Sequence, residues 1–190
     1  MSARRLHRLL ATLVAGAVAV IGAPFVSASP ALAARTICYD TSQAGSFAST
    51  AHSAASIWNN YTDNITMSNC GTHLRIYQIW GGGSYAVRTS LGYGRVYIDT
   101  YQAQQYSPLR IMTHEIGHIL GLPDNYNGQC SLLMSGGSAG TSCTNPYPAA
   151  SEADRVDQLF AGTARTTDAN TSTVFQGSWP APAPAAVPVG

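Results

Sequence analysis

Apolar positions along the chain alternate between two periods, and the order of those periods sets out a small mixed fold. Thr36-Ile37-Cys38-Tyr39 is a short β-branched and aromatic run, the pattern of a strand. From about Ser46 to Asn60 the period changes: Phe47, Ala51, Ala54, Ala55 and Trp58 recur at spacings of three and four, which predicts a helix with one buried face. Ile65-Thr66-Met67 and Leu74 to Trp80 predict two further strands, Gly81-Gly82-Gly83 a loop, and Gly94 to Asp99 another strand. A second helix is predicted from Pro108 to Leu120. Ser107 suits its cap, Pro108 its first turn, and Gly121 its end, because glycine accepts a positive φ. Residues 123–148 are rich in Gly, Ser, Asn and Pro and read as loop. A last helix is predicted near Ser151, with Ser151 as cap and Asp154 three residues on, burying Val156, Leu159 and Phe160.

The two ends have a different character. Arg4, Arg5, His7 and Arg8 precede an apolar run from Leu9 to Val26, and Ala31-Leu32-Ala33 offers a small-residue cleavage site. That is the layout of an export signal over residues 1–33 rather than of a membrane anchor. Beyond Thr166 the apolar period fades into an alanine- and proline-rich end, so residues 167–190 are expected to form a flexible tail. The body between them, residues 34–166, is expected to be one α/β (α+β) domain, a small twisted mixed sheet on two long helices with a C-terminal helix.

Charge narrows the function. Without residues 1–33 the chain keeps seven arginines against nine carboxylates, near −2, and it has no lysine at all. A nucleic-acid partner needs a dense cationic face and finds none in this composition. No stable membrane anchor is expected after signal cleavage, and the domain is expected to act as a secreted, extracellular monomer. Four cysteines, Cys38, Cys70, Cys130 and Cys143, suit an oxidising compartment. They allow three pairings, of which the local one, Cys38–Cys70 with Cys130–Cys143, is preferred; each bridge would contribute roughly 3 to 4 kcal/mol.

The chemistry concentrates at Thr113-His114-Glu115-Ile116-Gly117-His118. Residues four apart on a helix share a face, so two imidazoles can converge on one ion, with Glu115 beside them as general base. Gly121 permits a turn that returns Asp124 as a third ligand, giving HExxHxxGxxD. Three ligands leave a position open for water, the mark of a catalytic zinc site. Leu133-Met134-Ser135 lies ten residues beyond Asp124.

These strings, with Cys-Ser-Leu-Leu-Met-Ser-Gly-Gly and Ser142 to Pro148, resemble the metzincin clan and within it the snapalysin-type small secreted zinc metalloproteases. The likeness covers about residues 35–162. It implies zinc held by His114, His118 and Asp124, Met134 as the methionine of the turn beneath the metal, and Cys130–Cys143 as the family's disulfide. It also implies Tyr126 as a transition-state donor, and cleavage of proteins or peptides on the amino side of Tyr or Phe. Members can carry Ca2+ near an acidic residue just before the zinc helix; Ser107 and Leu109 stand there, which argues against calcium at that place. An extended substrate is expected along the strand Gly94 to Asp99. His52 and His73 are expected to serve packing only.

Overall fold

A computed structural model describes residues 33–162, 172–176 and 179. The sheet strands are β1 (Arg35–Gln43), β2 (Ile65–Ser68), β3 (Leu74–Ile79), β4 (Tyr85–Ser90), β5 (Tyr93–Asp99) and β6 (Thr173–Gln176). Helices α1 (Ala48–Tyr61), α2 (Thr100–Ala103), α3 (Pro108–Ile119) and α4 (Ala150–Phe160) complete the domain. The strands lie in the order β2-β1-β3-β5-β4-β6. Neighbours from β2 to β5 run parallel, whereas β4 is antiparallel to β5 and β6 antiparallel to β4. The expected mixed sheet with two long helices is therefore present.

The core explains the register. Ile37, Leu74, Ile76, Val96 and Ile98 are buried on the sheet and meet Ala51, Ala54 and Trp58 of α1 and Ile111, Ile116 and Ile119 of α3. Alanine at the sheet-facing positions of α1 lets that helix sit close to its neighbours. Trp58 then reaches across and donates from Nε1 to the Thr113 carbonyl at 3.0 Å, which ties α1 to the turn of α3 that carries the HExxH string. Ser107 caps α3 as expected, accepting from the Arg110 amide. Gly121, at φ +106°, turns the chain out of it; a Cβ there would meet Leu159 at 2.6 Å as well as being strained.

Several expectations change. The strand Gly94 to Asp99 lies inside the sheet, flanked by β3 and β4, and offers no free edge to an extended substrate; among the described residues the edge strands are β2 and β6. Nor does α4 start at Ser151. It starts at Ala150, and the Glu152 carboxylate, not Ser151 or Asp154, accepts from the Ala149 amide at 2.7 Å. The expected featureless tail fails at residues 173–176, which pair with β4, and at Trp179, which is buried. The proposed signal, residues 1–33, lies almost wholly outside the described residues, as do 167–171 and 180–190. Among the described residues no helix is long and apolar enough to cross a membrane. Both local disulfides, Cys38–Cys70 and Cys130–Cys143, are formed. His52 bonds the Tyr39 hydroxyl, and His73 accepts from the Cys38 amide, so both serve packing.

Candidate metal centre

Helical spacing does what the sequence suggested. His114, Glu115 and His118 are all fully buried, and their ligand atoms lie within 4.8 Å of one another. His114 Nδ1 is 3.0 Å from the Leu133 carbonyl and His118 Nδ1 is 2.9 Å from the Leu122 carbonyl. A carbonyl only accepts, so each Nδ1 carries the hydrogen and each neutral ring presents a bare Nε2 lone pair. Those two Nε2 atoms stand 3.1 Å apart. Asp124 Oδ1, returned by the turn at Gly121, lies 3.3 Å from the first and 3.4 Å from the second.

Three lone-pair donors facing one another at such distances repel unless a cation sits between them. Tetrahedral zinc with ligand bonds near 2.0–2.1 Å separates its ligand atoms by about 3.3 Å. The observed triangle has that edge length, and the donor set fits the ion without rearrangement.

Electrostatics tell the same story from the proton's side. With protons on Nε2 in place of a shared cation, burial raises the Asp124 pKa, but hydrogen bonds from the two imidazoles and their charge win and hold it far below the usual carboxylate range. Burial disfavours the His118 cation, yet Asp124 and Glu115 together raise its pKa. For Glu115 burial dominates and raises the pKa against the opposing pull of both histidines and of a hydrogen bond from Trp179. Among the described residues its buried Oε2 finds no hydrogen-bond partner, as suits a carboxylate whose remaining lone pairs are kept for something that enters the site.

The rear wall is built from residues the sequence reading passed over. Arg110, buried in α3, spreads its guanidinium over the loop below the histidines. It donates to the Asn145 carbonyl at 2.6 Å, the Leu132 carbonyl at 2.9 Å and Ser135 Oγ at 3.0 Å. Desolvation lowers the Arg110 pKa, and the charge of Glu152 works the other way. Glu152 accepts from the amides of Leu133 and Met134 at 3.0 and 2.8 Å. This clamp fixes the Leu133 carbonyl that orients His114, and it holds the Met134 backbone beside it. A Cβ on Gly117 would meet Met134 Sδ at 2.8 Å, which is why the position between the histidines is glycine. The Asn125 amide donates to the Met134 carbonyl, joining the loop of Asp124 to the same wall. Tyr126 stands two residues past Asp124 with its side chain 54% exposed, at the rim and not inside the cluster.

The front is covered by the end of the chain. Phe175 stacks on His118 at 4.3 Å and 10°, and the Arg88 guanidinium lies 5.0 Å over the same phenyl ring. Arg88 also donates to the His118 carbonyl at 2.9 Å. Trp179 donates from Nε1 to Glu115 Oε1 at 2.8 Å and packs edge-on against His114 and Tyr106. Its carbonyl accepts from Gln102 Nε2 at 2.8 Å. The sequence offered only the short apolar pair Val174-Phe175 and a lone tryptophan as signals of this.

Comparison with known proteins agrees with the geometry. The chain is 46% identical over 134 residues to the extracellular small neutral protease of Streptomyces lividans, covering 69% of this chain and 59% of that protein. It is 44% identical over 137 residues to that of Streptomyces coelicolor, covering 71% and 64%. The corresponding protein of Streptomyces caespitosus is 46% identical over 128 residues, 66% of this chain and 97% of its own. The match thus spans about three fifths of the length of the first two relatives. Residues 34–163, which include the centre and both disulfides, match as a unit, and the chain belongs to the Streptomyces extracellular neutral proteinase (M7) family.

Proposed function

We propose that this protein is a secreted zinc-dependent endopeptidase in which His114, His118 and Asp124 hold the metal and Glu115 is the general base. The observation that carries the reading is the triangle of two Nε2 atoms and Asp124 Oδ1, 3.1 to 3.4 Å on edge, beside a buried carboxylate with one oxygen unpartnered among the described residues. The relatives' names, extracellular small neutral proteases, and the export-like pattern of residues 1–33 support secretion and protein or peptide substrates.

Zinc, when bound, supplies Lewis acidity that makes water a nucleophile near neutral pH and polarises the scissile carbonyl. Glu115 takes the proton from the attacking water as its oxygen bonds to the carbonyl carbon, then delivers that proton to the leaving amine as the C–N bond breaks. Burial favours the protonated form of Glu115 and so equips it for the second half of that task. The Tyr126 hydroxyl, on the exposed rim of the ligand loop, is the donor assigned to the developing oxyanion, a contribution of about 3 kcal/mol where such donors have been removed. The side of β4 away from β5, which β6 occupies here, is the one along which an extended substrate would pair. Preference for an aromatic side chain on the carboxyl side of the scissile bond is supported by the seat between Tyr106 and His114, which accommodates an indole.

Glu115→Gln tests the assignment: zinc content should remain at one per chain while casein hydrolysis falls by at least a thousandfold. A variant that still cleaves casein normally removes Glu115 as the base. Tyr126→Phe should lower turnover about a hundredfold with zinc content unchanged.

A further inference from the structure

The β4 edge, the face of His118 and the Glu115 carboxylate, all needed by the proposed reaction, are covered in this structure by residues of the chain itself. The strand edge of β4 is taken by β6, in the register Tyr85↔Gln176, Ala86↔Phe175, Val87↔Val174 and Arg88↔Thr173. The face of His118 is taken by Phe175, and Oε1 of Glu115 by the Trp179 indole. Trp179 is 3% exposed, although it lies beyond the last helix of the domain. Val174, next to Phe175 in sequence, is 55% exposed, so this strand presents one side to the groove and one to solvent.

Three features separate this seat from ordinary packing of a chain end. Both rings contact the HExxH residues themselves, in addition to their packing against the hydrophobic core. The backbone pairing is strand addition to an outer edge, the mode by which extended peptides are recognised. And the polar contacts go to groups with work to do elsewhere: Gln102, which also accepts from the Ser84 amide and so shapes the glycine loop, and Glu115, whose carboxylate the reaction requires.

We propose that residues 173–176 and Trp179 are an intramolecular ligand of the groove between β4 and α3, and that they hold the enzyme latent by excluding substrate. The proposal rests on the protease reading above. The segment fits because residues 173–176 offer an extended backbone that carries Phe175 to His118, while Trp179 meets His114. A substrate competes with it for the β4 edge and for Glu115 at once, so the closed form has no partial activity. A tethered segment has an effective concentration on the order of 1 mM, and a short extended peptide binds such a groove with Kd on the order of 100 µM. Closed then exceeds open about tenfold, and activity at low substrate falls by the same factor.

The test compares the full chain with Phe175→Ala/Trp179→Ala, with Trp179→Ala alone, and with Val174→Ala as a control on the exposed side. Zinc-loaded proteins are assayed on an internally quenched peptide, and hydrogen exchange is followed at the amides of residues 85–88. The double variant should cleave about tenfold faster than the full chain at low substrate. The single variant should fall between them and Val174→Ala should match the full chain. A synthetic peptide of residues 172–180 should inhibit the double variant competitively. Protection at 85–88 should be lost in the double variant and restored by the peptide. Equal rates and equal protection in full chain and double variant would overturn the proposal. So would loss of cooperative melting in both Trp179 variants, because the segment would then be core. If no protein in the set cleaves any peptide, the protease reading fails instead, and the exchange data still report whether the groove is held by the tail.

Discussion

Replacing Glu152 by Gln probes the rear wall of the centre without touching a proposed ligand. Its carboxylate accepts three backbone hydrogens: Met134 on Oε1 at 2.8 Å, and Leu133 and Ala149 on Oε2 at 3.0 and 2.7 Å. Glutamine keeps one oxygen. Placed where Oε2 was, it preserves two bonds in neutral form, each weaker by about 1 kcal/mol than its charge-assisted counterpart. The amide group then faces the Met134 hydrogen, and an unpaired buried donor costs about 1 to 3 kcal/mol. Arg110 loses its nearby counter-charge in the same step. Allowing for relaxation, the loss is about 3 kcal/mol, which lowers Tm by about 12 °C in a domain of this size. The Leu133 carbonyl that orients His114 loosens with it, so zinc affinity should fall about tenfold. Differential scanning calorimetry with disulfides intact, alongside Asp154→Asn as an exposed control for the same charge change, measures the first effect. Titration against a competing chelator measures the second. A Glu152→Gln protein that melts within 3 °C of the control would refute the clamp.

Three other outcomes follow from the same geometry. Gly117→Ala gains up to about 1 kcal/mol of helix propensity but forces Met134 and Trp58 from contacts of 2.8 and 3.3 Å, so calorimetry should show a net loss of about 1 kcal/mol. A gain in Tm would show that the packing there is slack. Stripping metal with a chelator removes about 2.7 kcal/mol when zinc had stood at a hundred times its Kd, lowering Tm by about 10 °C; an unmoved melt would speak against a bound ion. Removing Cys38–Cys70, which closes a separation of 32 residues, should cost about 4 kcal/mol in urea unfolding while zinc content and turnover stay unchanged, since that bridge joins β1 to the segment after β2 and not to α3.

What could be read from the sequence was local in origin. Two histidines and a glutamate on one helical turn, a glycine bend and a returning aspartate are all encoded within eleven residues, and the structure brings His114, His118 and Asp124 together as that spacing requires. The helices and the parallel strands announced themselves through apolar period. By contrast, β4 buries only Ala86 fully, and its remaining stability comes from the cross-strand stack of Tyr85 on Tyr97 and Tyr97 on Tyr77, so its own sequence carries no alternation to detect. Arg110 looked like one more polar residue of a helix. Its importance lies in carbonyls of residues 132 and 145, which no helical periodicity reports. The pairing of β6 with β4 joins residues nearly ninety apart through four positions, too few for a pattern and too distant for a turn. Starting from the assumption that an alanine- and proline-rich end is inert hid the aromatic pair just before it.

The two sides of the centre are held by forces of different strength, and the difference bears on how it works. Behind the histidines, Arg110 and Glu152 are buried ions hydrogen-bonded to several backbone groups each, and disrupting either leaves a charge or several donors stranded in a dry interior. That wall does not move cheaply. In front, β6 contributes four paired residues and two rings, one of which hydrogen-bonds a carboxylate that its own burial has penalised. When the Trp179 ring leaves, it forfeits apolar contact with Tyr106 and His114, but water regains access to Glu115 and relieves part of its desolvation. The two contributions oppose each other, so the cover is held by a small difference. A rigid rear keeps the ligand triangle at its edge length whether the front is open or closed, and opening then changes access to the centre without changing its geometry.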